Sequence, residues 1–143
     1  MTNLSERRAR ILRVRQLEHR VARAKLANAE ATLANLDRIS ERLSGLRASL
    51  KPNAERTNGL ALKAMAEMAI RLESAQMDLA APIEGAQHHC VRSIADRAFA
   101  KNREQGAEKL HDRALRMEVY EQTRRADANR PFRKRNSTLG SVK

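Results

Sequence analysis

The chain has 143 residues, with 29 Lys and Arg against 17 Asp and Glu, a net charge of +12, and aromatics at only 2%. Large rings usually fill the centre of a compact globule; Ala, Leu, Glu and Arg dominate here instead, the composition of long helices and coiled coils, so a globular enzyme core is not expected. No apolar run approaches the roughly 20 residues of a bilayer span, Met1–Arg8 contains no apolar leader segment, and the single Cys90 cannot close an internal disulfide, so a cytoplasmic chain of one domain without membrane insertion is expected.

A first helix is predicted over residues 4–50. Asn3 and Glu6 stand in capping-box spacing. Apolar residues then step by three and four as Val14, Leu17, Val21 and Ala24, and again as Leu36, Ile39, Leu43, Leu46 and Leu50. These two stretches do not share one heptad register, which predicts a local straightening of the supercoil between Val21 and Leu43. Pro52 stops the helix, and Asn53, Thr57, Asn58 and Gly59 supply turn and cap chemistry, placing a turn at 51–58.

A second helix is predicted over 59–129, with Leu62, Met65, Met68, Leu72, Ala75 and Leu79 on its seam. Pro82 and Gly85 are expected to interrupt it near 82–85, because a helix-interior proline removes a hydrogen bond and costs about 3 kcal/mol. The pattern returns as Ile83, Ala86, Cys90, Ile94 and Ala98, and later as Leu110, Ala114, Met117 and Tyr120. Pro131 ends the helix, and residues 130–143 read as a disordered basic tail. The expected fold is all-α: a long antiparallel helical hairpin over 1–129, kinked near Pro82. With its turn near residue 54, position i faces about 109 − i. Leu43 is then opposite Met65 or Met68, Leu36 opposite Leu72, Leu17 opposite Val91 and His19 opposite Cys90. The second helix is expected to outrun the first by about 20 residues.

Charge is uneven along this hairpin. Residues 1–50 hold 11 Lys and Arg against 5 Asp and Glu, residues 51–91 hold 4 against 5, and residues 92–143 hold 14 against 7. Folding back places both basic thirds at one end of a rod and the near-neutral third at the tip. The candidate partner-binding residues of the basic end are Arg7, Arg8, Arg10, Arg13, Arg15, Arg113, Arg116, Arg124 and Arg125, since arginine forks bind carboxylate and phosphate bidentately. At the tip the candidates are Leu60, Leu62 and Met65, one of the two leucines being exposed. The expected hairpin core is Leu36, Ile39, Leu43, Leu46, Leu50, Met68 and Leu72.

Chemistry is sparse. There is no G-x-S-x-G, no phosphate-binding glycine loop and no H-E-x-x-H, so no catalytic residues and no cofactor are expected. His88, His89 and Cys90 are adjacent, but neighbours on a helix point about 100° apart and cannot share one tetrahedral metal site, so no metal is expected. Carboxylates mostly lie three or four positions from Arg or Lys, as Glu6 does from Arg10 and Asp112 from Arg116, and read as solvated helix faces.

A basic, aromatic-poor chain of this length, folded as one antiparallel hairpin with an overhanging second helix and a basic tail, resembles the FliJ family. These are the stalk proteins of flagellar export, related to the YscO-type proteins of type III secretion. The resemblance spans residues 4–129 and implies a non-enzymatic stalk that docks in the export ATPase ring and contacts the export gate. By that resemblance the basic end, Arg7–Arg23 with Arg113–Arg135, meets the ATPase ring and the neutral tip meets the gate. Two other readings stand beside it. One is a basic helical protein that binds nucleic acid, with non-specific phosphate binding at low salt. The other is a coiled-coil scaffold, chaperone or homo-oligomer.

Overall fold

The computed structural model describes residues 4–51 and 58–130. They form two helices, α1 (Leu4–Ser49, 46 residues) and α2 (Gly59–Ala128, 70 residues), with no strand among the described residues. The helices pack against one another along α1. Ser5 meets Glu118 near one end and Ser44 meets Gln76 near the other, so they run antiparallel. The predicted all-α hairpin is the fold. Asn3, residues 52–57 of the turn predicted at 51–58 and residues 131–143 of the tail predicted at 130–143 lie outside the described residues.

The helix ends follow local chemistry. Asn58 has an extended backbone, and its side-chain oxygen accepts the Ala61 N–H at 2.8 Å, capping α2. At the other end the Asn129 N–H donates to the Arg125 carbonyl at 3.1 Å, two residues before Pro131. The start of α1 is capped from across the hairpin: the Ser5 N–H donates to the Glu118 carboxylate at 3.0 Å. That satisfies a free first-turn donor and places negative charge at the positive end of the helix dipole.

Burial on α1 follows one unbroken heptad. One position runs through Ser5, Leu12, His19, Leu26 and Leu33; the other runs through Arg8, Arg15, Ala22, Ala29, Leu36, Leu43 and Leu50. The predicted change of register between Val21 and Leu43 is therefore absent. On α2 the matching positions are Ile83, Cys90, Glu104, His111 and Glu118, and Ala86, Ser93, Ala100, Ala107 and Ala114. The second set places a small side chain at every seventh residue, so α1 can lie close against α2 along this stretch.

This seam corrects several expectations. Leu36, Leu43, Leu50 and Leu72 are partly buried in it, but Ile39, Leu46 and Met68 are 44%, 55% and 50% exposed. Ser40 is the half-buried residue of that turn, one position from Ile39. Val14, Leu17, Val21 and Ala24 also face outward. The pairs Ser5–Glu118 and His19–Glu104 set position i level with about 123 − i, not 109 − i. Leu43 is therefore level with Leu79, Leu36 with Ala86, and His19 with Glu104 instead of Cys90. The cross-helix pairs Ser5–Glu118, His19–Glu104 and Ser44–Gln76 mark this register. As a result α2 outruns α1 at both ends. It passes the level of Ser5 by about ten residues, and residues 59–70 lie beyond the end of α1 at the tip.

α2 also runs unbroken through Pro82 and Gly85, so the predicted interruption at 82–85 is absent. Pro82 is exposed on the outer surface, as is Asp78, whose carbonyl loses its helical donor. Leu79 and Ile83 on either side are held in the seam, which offsets the local cost. The molecule is an extended rod: it exposes 12540 Å², whereas a compact monomer of 16.2 kDa would expose about 7,500 Å². No large side chain among the described residues is completely buried. Restoring regular helix at the weak point should raise the thermal midpoint. Pro82→Ala is expected to add up to about 3 kcal/mol. Gly85→Ala, whose new methyl group meets open space, should add about 0.5–1 kcal/mol, both read by circular dichroism melting.

Candidate functional site

Antiparallel packing brings the basic segments together. Arg7–Arg15 lie level with residues 108–116, so Arg7, Arg8, Arg10, Arg13, Arg15, Arg113 and Arg116 share one end of the rod. Arg124 and Arg125 sit past the end of α1 on the overhang. All are exposed except Arg8 and Arg15, which are half-buried at seam positions. Arg125 Nη2 lies 3.8 Å from Glu121 Oε2 across an open surface, where such a pair contributes little.

The seam itself changes character towards this end. From Leu26 to Leu50 it is mostly leucine; from Ser5 to His19 it is mostly polar. His19 Nδ1 donates to Glu104 Oε2 across the hairpin at 2.5 Å. His19 Nε2 and His111 Nδ1 are buried with no partner among the described residues. Arg15 Nη1 reaches both Glu18 carboxylate oxygens at 2.9 and 2.7 Å, and Arg103 Nη1 approaches from α2 at 4.0 Å. The Arg15 hydrogen bond holds the Glu18 carboxyl below the usual glutamate range; partial desolvation opposes this, and the charges of Arg15 and Arg103 add to it. Glu18, Glu104 and Glu118 thus stitch the two helices together and are not simply solvated charges.

Beside this polar seam runs an exposed apolar face. Leu4, Ile11, Val14, Leu17 and Val21 on α1 are 45–57% exposed. Phe99, Leu110, Met117 and Tyr120 on α2 are 41–64% exposed. Two grooves cut into it. One, of 460 Å³, is lined by Val14, Leu17, Glu18, Val21, Ala22 and Lys25 with Ser93 and Asp96. The other, of 290 Å³, is lined by Arg8, Ile11 and Arg15 with Arg103, Gly106, Ala107 and Leu110. Ile11, Glu18 and Lys25 recur at one heptad position of α1, and Asp96, Arg103 and Leu110 recur at one heptad position of α2. Both grooves therefore lie on the same side of the hairpin. Arg103 also sits 5.4 Å above the centre of the Phe99 ring, holding that ring at the rim.

At the tip, Leu60 is 79% and Leu62 46% exposed, so both leucines face outward where only one was expected to; Met65 is half-buried. His88 and His89 are exposed and Cys90 is buried in the seam. Among the described residues no three His, Cys, Asp or Glu side chains are grouped to hold a metal ion, and no helix is long and apolar enough to cross a membrane.

The apolar groove, Arg103 and the His19–Glu104 pair are not apparent from hydropathy, which puts Val14 and Val21 inside. The seven-residue spacing of Ala86, Ser93, Ala100, Ala107 and Ala114 is the signal in the sequence that locates them. Compared with known proteins, the chain matches no family model, no curated protein and no solved structure.

Two outcomes test the polar seam. Glu104→Leu should cost about 1–3 kcal/mol by stranding His19, whereas His19→Leu with Glu104→Leu should recover most of that loss in chemical denaturation. Glu18 has a lowered pKa in the fold, so its contribution is present above the usual glutamate range and is lost as pH falls through the folded value. Glu18→Gln should therefore lose less stability than the parent on acidification, read from denaturation midpoints across that range.

Proposed function

We propose that the protein is a non-enzymatic stalk or adaptor of the flagellar, type III-like export apparatus. Its basic end would dock in the export ATPase ring and its near-neutral tip would contact the export gate. The observation that carries this reading is the polarity of the rod. Residues 1–50 and 92–143 each hold a large excess of Lys and Arg, residues 51–91 do not, and the antiparallel hairpin sets residues 92–118 beside the first half of α1. Two chemically different ends suit a molecule that bridges two different partners. The resemblance to the FliJ family in architecture and charge supplies the identity of those partners. At the tip, exposed Leu60 and Leu62 offer an apolar contact without a charge requirement.

The test is capture from lysate of a flagellated host at moderate salt, with nuclease-treated protein, together with deletion of the gene. Recovery of the export ATPase, its loss when Arg7, Arg8, Arg10, Arg13 and Arg15 are changed to Glu, and impaired swimming on deletion are expected. Unchanged flagellar assembly after deletion, or retention of DNA that falls steeply with salt and no ATPase, would overturn the export assignment.

A further inference from the structure

The exposed face beside the seam is shaped for a third helix. Its apolar residues recur with helical spacing on both strands of the hairpin: Leu4, Ile11, Val14 and Val21 on α1, Leu110 and Met117 on α2. Between them the small side chains Ala22, Ser93 and Ala107 floor the two grooves. Large outer residues over a small-residue floor leave a longitudinal trough of the kind into which an amphipathic helix sets its apolar face. Exposed apolar surface of this extent, rimmed by charge, marks an interaction site.

The rim selects the occupant. Arg8, Arg15 and Arg103 line the lower groove with no carboxylate among its lining residues. The upper groove carries Lys25 and two carboxylates, Glu18, already engaged by Arg15, and Asp96, so the basic rim is that of the lower groove. Arg7 and Arg113 flank the same side. A second copy of this chain would bring a charge of +12 against +12, and residues 131–143 carry Arg and Lys but no Asp or Glu. Both are mismatched to a basic rim. We infer that this groove binds an acidic amphipathic helix of a partner protein, with its apolar residues on Ile11, Val14, Val21 and Leu110 and its carboxylates on Arg8, Arg103 and the flanking Arg7 and Arg113. Arg forks meet carboxylates bidentately, so charge sets orientation and encounter rate while the apolar contacts set lifetime. The inference names the kind of partner taken at the basic end and so rests on the adaptor reading, not on the identity of the export machine.

The test uses the full chain and a designed 21-residue helical peptide with leucine at its two heptad core positions and glutamate on either side. Fluorescence anisotropy at physiological salt measures affinity, with unstructured polyglutamate as the charge-only probe. The expected result is saturable peptide binding that Val14→Asp and Leu110→Asp each weaken at least tenfold. Val91→Asp, at an exposed apolar residue outside the two grooves, should leave it unchanged, and circular dichroism should show every variant still helical. Equal binding of polyglutamate, or equal loss with Val91→Asp, would overturn the inference. So would a dimer in sedimentation equilibrium that Val14→Asp dissociates, because the groove would then belong to a second copy. Peptide binding in a protein whose deletion leaves swimming intact would retain the groove and reject the export assignment.

Discussion

The fold depends on close approach of two helices over a repeat of small side chains. Ala86, Ser93, Ala100, Ala107 and Ala114 occupy every seventh position of α2, and Ala22 and Ala29 answer from α1. Small residues bury little apolar surface each, about 0.8 kcal/mol per CH₂ on transfer. What they supply is proximity: with backbones close, even the part-exposed leucines beside them make contacts along the whole seam. The polar pairs across the seam fix register. A slip of one heptad would set Leu36 against Ser93 or Leu79 in place of Ala86, and would part His19 from Glu104 and Ser5 from Glu118. The antiparallel arrangement of charge, and with it the basic end, follows from that register.

The two halves of the seam divide the work. Between Leu26 and Leu50 the contacts are mostly leucine against Cys90, Ala86, Ile83 and Leu79, and hydrophobic burial holds the helices. Between Ser5 and His19 the same positions carry Arg8, Arg15 and His19 against His111, Glu104 and Glu118. There, hydrogen bonds and ion pairs add to the burial of Ser5, Ala107 and Ala114. A paired hydrogen bond contributes roughly 1 kcal/mol, but an unpaired buried group costs more, so these contacts specify the alignment more than they add stability. Moving the large apolar residues of this half to the outer face is what leaves Val14 and Val21 free for a partner.

Much of the architecture is legible in the sequence. The ends of the two helices are marked in the sequence by Pro52, Asn58, Gly59 and Pro131, residue types whose preferences are local, and Asn58 caps α2 as its type implies. The basic end follows from counting charge on a hairpin. The seam is harder to read, because hydropathy ranks Val14, Leu17 and Val21 above Arg15, His19 and Ala22. The hidden condition is that Arg15 and His19 find carboxylates in Glu18 and Glu104, and Glu104 lies 85 positions from His19. Arg15 finds its partner one turn away on its own helix, but His19 finds its partner only on the other helix. Pro82 misleads for a related reason: its local cost is visible in the sequence, whereas the packing of Leu79 and Ile83 that offsets it is not.

Charge and stability are therefore opposed along this rod. The basic segments that the hairpin brings together repel one another, and few of their arginines have carboxylates on the facing helix; Glu18, Glu104 and Glu118 are the ones that serve the seam. Repulsion of this kind weakens a compact state while favouring association with acidic surfaces. In the polar half Ala107 and Ala114 are buried, but His19 Nε2 and His111 Nδ1 are buried with no partner among the described residues, which costs stability at the basic end. A partner that neutralises Arg8 and Arg103 and covers Ile11 and Val14 would relieve the repulsion and bury apolar surface at the same time. Binding to the folded hairpin alone would then stabilise it by mass action. The stability missing from the basic end of the isolated chain is of the kind that a complementary helix supplies.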